Sequence, residues 1–230
     1  MPIFVENREL VTPGTLLAKG DYKAGEHAYK RGDCIYSTHT GLVERSDNVI
    51  GVIALVGCYV PKVGDLVIGK VVDSHFTYWE IDINSPYIAK LKVGDVRRGP
   101  GPARSAPSKF LPTGTLVAGK IVEFDRTKDP VVTIRGRGLG RIQDGHLVKI
   151  NPAKVPRLIG RGGSMIKMLV EKTGCEIKVG QNGLIVVKGK SPREERVAIS
   201  AIRRIETEAH TSGLTDRISA MIDRELQNES

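Results

Sequence analysis

Apolar positions change their spacing along the chain. Over residues 1–60 they fall into short runs broken by turn-forming clusters, which predicts strands over 10–18, 34–37, 41–44 and 49–55. Pro13-Gly14, Lys19-Gly20-Asp21 and Arg31-Gly32-Asp33 punctuate them. A phrase then recurs: Val63-Gly64-Asp65-Leu66-Val67-Ile68-Gly69-Lys70-Val71-Val72-Asp73 is echoed by Thr113-Gly114-Thr115-Leu116-Val117-Ala118-Gly119-Lys120-Ile121-Val122-Glu123. In each copy a turn glycine precedes a strand whose interior glycine permits bending or close backbone approach. Two strands of one small barrel fit this spacing better than a solenoid. A fainter echo is Pro13-Gly14-Thr15-Leu16-Leu17-Ala18. Between the copies, Trp79, Ile81 and Ile83 alternate with polar or amphipathic residues over 78–84, as on a half-buried strand. Trp79 is assigned to the core, whereas Tyr78 faces the other way and joins His75 and Phe76 as a base-stacking candidate.

In the last third the period becomes helical. A strand is expected over 146–150, a short helix over 151–159, and then Gly160-Arg161-Gly162-Gly163. A helix carrying Met165, Ile166, Leu169 and Val170 follows and stops at Gly174, glycine being common just past a helix end. Strands over 175–179 and 184–188 flank Gln181-Asn182-Gly183, a hairpin-turn signal. Ser191-Pro192-Arg193-Glu194 opens a long helix with a capping box and proline at its first position. Val197, Ala201, Ile202 and Ile205 form its apolar face. A final amphipathic stretch, Leu214, Ile218, Met221 and Ile222, is expected to pack on this region.

Composition sharpens the division. Aromatic residues make up 5% of the 230, so the cores must rest on Val, Ile and Leu. Residues 1–60 carry 6 basic and 7 acidic groups, a net of −1; residues 61–145 carry 14 and 9, and residues 146–230 carry 15 and 10, each a net of +5. A basic body behind a neutral segment suits a polyanion ligand held by a subunit attached elsewhere, although a solvated basic surface has the same charge. No apolar run reaches the roughly 18 residues of a membrane helix, and the first residues do not read as a signal peptide, so a cytoplasmic protein without a membrane is expected. Cys34, Cys58 and Cys175 and the five histidines are dispersed, with no disulfide framework and no zinc-type ligand spacing; neither a cofactor nor a metal is expected.

The candidate chemistry is therefore recognition. The stretch 97–109 holds Arg97, Arg98, Arg104 and Lys109 among glycines and prolines, and Arg135, Arg137 and Arg141 are threaded with glycines. Such loops beside a small barrel fit a groove that tracks a phosphate backbone. Affinity would come from counterion release by Lys90, Lys92, Arg97, Arg98, Arg104, Lys109, Arg126 and Arg137, with stacking on Tyr78 or His75. In Gly160-Arg161-Gly162-Gly163 the glycines allow backbone to approach phosphates, the following helix offers free N–H groups, and Arg161 adds charge. No catalytic constellation is found. Asp82 and Asp125 could in principle hold magnesium, but Asp82 alternates on a strand and Asp125 stands in a turn, so both are expected to be ordinary solvent-facing residues.

The order of the last third, with a GxxG between two helices, Ile159 before it and Ser164-Met165-Ile166 after it, closely resembles the KH domain. Residues 61–145 resemble the OB-fold domain first named from ribosomal protein S-one, through Pro61-Lys62-Val63-Gly64-Asp65-Leu66-Val67 and Trp79-Glu80-Ile81-Asp82-Ile83-Asn84-Ser85-Pro86-Tyr87. With Gly41-Leu42-Val43, Phe124-Asp125-Arg126-Thr127 and Val155-Pro156-Arg157-Leu158-Ile159-Gly160, residues 5 to 225 resemble the archaeal exosome cap family called ribosomal RNA processing protein four. The fold implied is multidomain, mainly β with α+β: a β-rich N-terminal ring-anchoring domain (1–60), a five-stranded OB-fold barrel (61–145), and a β-α-α-β-β-α KH domain with a C-terminal helix (146–230). The function implied is that of a non-catalytic subunit, three copies of which sit on a hexameric ring of RNase-PH-like subunits and lead single-stranded RNA to a channel where the ring degrades it from 3′ to 5′. Gly162 departs from the basic residue often found there, so the KH domain is expected to bind RNA weakly alone and to serve partly in docking. A free-standing translation or ribosome-maturation factor built from the same two modules is the other reading.

Overall fold

The computed structural model describes residues 2–55, 57–96, 110–125, 127–209, 211 and 213–227. They form two compact units, Met1–Gly57 and Cys58–Ser230. The first unit is all β. Its strands are β1 (Leu10–Val11), β2 (Leu16–Lys19), β3 (Lys23–Ala24), β4 (Ala28–Arg31), β5 (Cys34–Ser37), β6 (Gly41–Ser46) and β7 (Val49–Ala54). They make one sheet in the order β1-β6-β7-β3 and a second in the order β2-β5-β4. Val11, Leu17, Ile35, Val43, Ile50 and Val52 are buried together as its core. The single strand expected over 10–18 is broken in two: at Pro13-Gly14 the chain reverses, with the Thr15 N–H donating to the Thr12 carbonyl at 3.1 Å. Strands β3 and β4 are too short and too exposed to leave a periodic trace in the sequence.

The second unit opens with β8 (Leu66–Ser74), β9 (Tyr78–Asp82), β10 (Ile88–Lys92), a single turn α1 (Val93–Val96), β11 (Leu116–Asp125), β12 (Lys128–Thr133) and β13 (Gly140–Ile142). The pairing runs β12-β10-β9-β8-β11, and β11 also pairs with β12, which closes a five-stranded barrel with β13 added at β11. The recurring phrases are the two neighbours β8 and β11. They pair antiparallel about Ile68 and Ala118, so that Gly69 faces Val117 and Gly119 faces Val67. Their entry turns obey the same local two-fold relation: the Gly64 N–H donates to the Ile121 carbonyl and the Gly114 N–H to that of Val71, both at 2.8 Å. Gly69 is required because any side chain there would overlap the Ile81 side chain of β9. Inside the barrel Trp79, Ile81, Leu91, Val117, Ile121 and Val132 are buried, so Trp79 is a core residue.

The chain continues into β14 (His146–Lys149), α2 (Val155–Ile159), α3 (Ser164–Thr173), β15 (Glu176–Val179), β16 (Leu184–Lys188), α4 (Pro192–Thr207) and α5 (Leu214–Gln227). The helix expected over 151–159 is shorter, because Pro152–Lys154 form a separate 3-10 turn capped by the Asn151 side chain. The sheet order β14-β16-β15 is antiparallel throughout, as in a KH domain. At Ser191 both halves of the capping box form. Helix α5 packs as its pattern required: Leu214, Ile218 and Ile222 lie in one core with Leu158, Leu169, Ile185, Ala201 and Ile205. Lys172 of α3 pairs with Asp223 of α5 at 2.5 Å.

Strand β16 is buried on both faces. Ile185 and Val187 meet the helices, while Leu184 and Val186 cover Ile68 on the outside of the barrel. The hairpin tip between β15 and β16 completes this contact. Asn182 is fully buried, and its Nδ2 donates to the carbonyls of Ile68 (2.6 Å) and Ile83 (2.7 Å). Its Oδ1 accepts the Ile68 N–H at 3.3 Å, and its own carbonyl accepts from Asn84 Nδ2 at 2.8 Å. Beyond Lys70 and Asp82, where the β8–β9 ladder begins, those backbone groups have no strand partner, and an amide side chain supplies one. The Gln181 N–H also donates to the Leu66 carbonyl at 2.7 Å. The sequence offered Asn182 as an ordinary turn residue; instead it joins the two modules of this unit. An apolar run without polar alternation at Leu184–Lys188 was the signal that this strand is covered on both sides. Among the described residues, no helix is long and apolar enough to cross a membrane.

Candidate nucleic-acid interface

In an OB-fold the outer face of the second and third strands and the loops at its rim are the usual oligonucleotide surface. Here those strands are β9 and β10. Alternation turns Trp79, Ile81, Ala89 and Leu91 inward and leaves Tyr78, Glu80, Lys90 and Lys92 outside. Cross-strand register sets Lys92 opposite Tyr78 and Lys90 opposite Glu80. The imidazole of His75, in the β8–β9 turn, stacks on Tyr78 with ring centres 4.5 Å apart and planes at 28°. Lys90 Nζ sits 5.5 Å above the same ring. The turn is held closed by the His75 N–H, which donates to the Tyr78 carbonyl at 2.8 Å. At its tip Phe76 is 87% exposed, an aromatic ring with no apolar cover. Stacking and cation–π partners for bases are thus gathered on one surface.

The charge of this surface is more balanced than the count of lysines implies. Lys90 pairs with Asp129 at 2.8 Å and Lys92 with Glu123 at 3.8 Å. The hydrogen bond and charge of Asp129 hold the Lys90 ammonium above the ordinary lysine range. His75 Nε2 lies 3.2 Å from Glu80 and 3.8 Å from Asp73. A shallow depression lined by Tyr87, Lys90, Thr127, Lys128 and Asp129 adjoins the face. Each lysine–carboxylate pair is solvent-exposed and weak, so a phosphate can exchange for the carboxylate at small cost. Asp82 and Asp125 serve local turns: Asp82 accepts the Asn84 N–H at 2.8 Å and Asp125 the Thr127 N–H at 3.2 Å.

Arg137 is exposed in the segment between β12 and β13. Its neighbour Arg135 is engaged instead, donating to the Gly94 carbonyl and pairing with Asp95 at 3.3 Å. Arg97, Arg98, Arg104, Lys109 and Arg126 lie outside the described residues.

The loop Gly160 to Gly163 joins α2 to α3. Gly160, Gly162 and Gly163 have φ of +74°, +61° and +80°, a left-handed path that residues with a Cβ adopt at a cost. A side chain at Gly160 would lie 2.8 Å from the Met165 backbone nitrogen, whereas nothing approaches within 4 Å of one at Gly162. Gly163 caps α3 and no side chain closes that helix end. Arg161 is exposed. The result is bare backbone leading into a positive helix end beside a cation, which matches the needs of a phosphate.

Comparison with known proteins accounts for all three parts of the chain. Residues 8–56 match the family model described as the exosome RNA binding protein RRP4 N-terminal domain, residues 58–105 match the RRP4 S1 domain, and residues 146–204 match the KH domain. The exosome complex component Rrp4 of Pyrococcus horikoshii is 47% identical over 98% of this chain and 86% of its own length. That of Thermofilum pendens is 45% identical over 98% of this chain and 97% of the relative, and that of Methanobrevibacter smithii 43% over 99% and 76%. A crystal structure described as a candidate exosome complex RNA-binding protein superposes with a TM-score of 0.69 at 46% identity, covering 74% of this chain and 98% of that one. Three domain models in family order, and identity sustained from end to end, make this chain a member of the archaeal Rrp4 family of exosome components.

Proposed function

We propose that the chain is the non-catalytic RNA-binding cap subunit of an exosome, a 3′-to-5′ RNA-degrading and RNA-processing complex. RNA binding and exosome membership follow from the family. The finer picture has three working parts: residues 1–60 anchor to a hexameric ring of RNase-PH-like subunits, residues 61–145 hold single-stranded RNA at a channel entrance, and residues 146–230 contribute a weaker second contact. Three copies per ring and a cytoplasmic location belong to the same proposal. The observation that carries the RNA path is the pair of open surfaces in one compact unit: the aromatic and lysine face of β9–β10, and the bare loop Gly160 to Gly163 with Arg161. Backbone affinity from Lys90, Lys92, Arg97, Arg98, Arg104, Lys109, Arg126 and Arg137 would give a salt slope of about −0.7 per phosphate neutralised. Stacking on Tyr78 or His75 would add roughly 1–3 kcal/mol per base. Neither reads base edges, so sequence preference is slight. Tagged purification from the native host after nuclease treatment, followed by mass spectrometry, tests the assembly. Near-stoichiometric RNase-PH-like subunits are expected; recovery of ribosomal proteins alone would move the chain to the free-standing factor.

A further inference from the structure

We propose that Asp73, His75 and Glu80 form a binding site for one divalent transition-metal ion on the outer face of the barrel. Nothing in the residue spacing announces it, because two of the three donors are carboxylates that a hairpin brings to a single histidine. A register shift between Val71 and Asp73 sets Asp73 directly opposite Glu80 across β8 and β9. Two carboxylates opposed in this way repel each other, and a cation between them relieves that repulsion. His75 folds back from the turn towards both. One donor atom from each of the three residues lies within 4.8 Å of the other two. Ligands bound to a common ion at about 2.1 Å lie roughly 3–4 Å apart, so small side-chain rotations complete the set.

Existing contacts orient two of the three donors. Asp73 Oδ1 accepts the Ser74 N–H at 2.7 Å, which leaves Oδ2 for the imidazole side. The His75 ring is fixed by its stack on Tyr78. Although the imidazole as a whole is 39% exposed, its Nε2 atom is shielded from water and has no hydrogen-bond partner. That nitrogen is turned towards both carboxylates, 3.2 Å from Glu80 and 3.8 Å from Asp73, without the alignment of a hydrogen bond, and so presents its lone pair to the space between them. One imidazole and two carboxylates suit zinc, manganese, cobalt or nickel, and imidazole tips the choice away from magnesium and calcium. Three protein ligands leave a coordination position open. Bound metal would replace two negative charges on the β8–β9 hairpin, beside the β9–β10 face, with a net neutral site, and RNA affinity would rise with it. That last consequence rests on the RNA reading above; metal binding itself does not.

The test is a titration of the full chain, without RNA and under reducing conditions, with cobalt or nickel alone. Trp79 is the only tryptophan, lies next to Glu80 in β9 and is paired with Ser74, so its fluorescence reports the site. Saturable quenching is expected. His75→Gln and Glu80→Gln should each raise the apparent Kd about tenfold or more, while His27→Gln with His39→Gln, a second ring pair in the first unit, leaves it unchanged. The metal-free emission maximum checks that each variant keeps its barrel, and Asp73→Asn at an exposed position serves if one does not. No saturable quenching in the natural chain, or equal quenching in the ligand variants, overturns the site.

Discussion

Two loops of the KH region share a spelling and are put to opposite uses. Gly160-Arg161-Gly162-Gly163 and Gly180-Gln181-Asn182-Gly183 are both four residues bounded by glycine. In the first, nothing stands within 4 Å of a side chain added at Gly162, no side chain caps the helix that follows, and Arg161 reaches into solvent. In the second, Asn182 has no exposed surface and spends its amide on Ile68 and Ile83 of the barrel. Glycine spacing gives backbone access in both. What decides the use is the residue between the glycines and what the adjoining strand covers: an amide beside a two-sided apolar strand seals a protein contact, and an arginine before a helix start keeps an anion contact open.

The largest way to break the contrast is Asn182→Ala. It strands two buried carbonyls and one N–H, for an expected loss of about 3 kcal/mol in denaturant unfolding. Amide exchange at Ile68 and Gln181 should speed up at the same time. Next comes Gly160→Ala, which combines a positive φ with a clash against Met165 and should cost about 2 kcal/mol, with RNA affinity falling as the loop distorts. Gly162→Lys sharpens the comparison: space is free but φ is +61°, so roughly 1 kcal/mol of stability is lost. RNA binding should strengthen, and its salt slope should steepen by about 0.7. Arg161→Ala is the smallest, with stability changed by less than about 0.5 kcal/mol and the salt slope made shallower by about 0.7.

The same contrast marks what the sequence could reveal. Features set by near neighbours were legible: the capping box at Ser191 and Glu194, the loop at Gly160, the apolar face of α5, and Trp79 on the inner face of β9. Features set by distant neighbours were not. Asn182 meets Ile68 across 114 positions, and nothing local separates that asparagine from one in a solvated hairpin. Lys90 and Lys92 read as free cations until the barrel closes and brings Asp129 and Glu123 beside them. The site at Asp73, His75 and Glu80 needs both a hairpin and a slipped register before its donors meet. The break at Pro13-Gly14 was signalled by turn chemistry, yet the apolar residues on both sides favoured one strand.

The most direct measurement is hydrogen exchange on the full chain with and without a short single-stranded RNA. Protection is predicted at the amides of Gly163 to Met165 and along Tyr78 to Lys92, with no change at Gln181 and Gly183. Bound RNA that leaves the first two segments unprotected, or that shields the hairpin tip, would contradict the account.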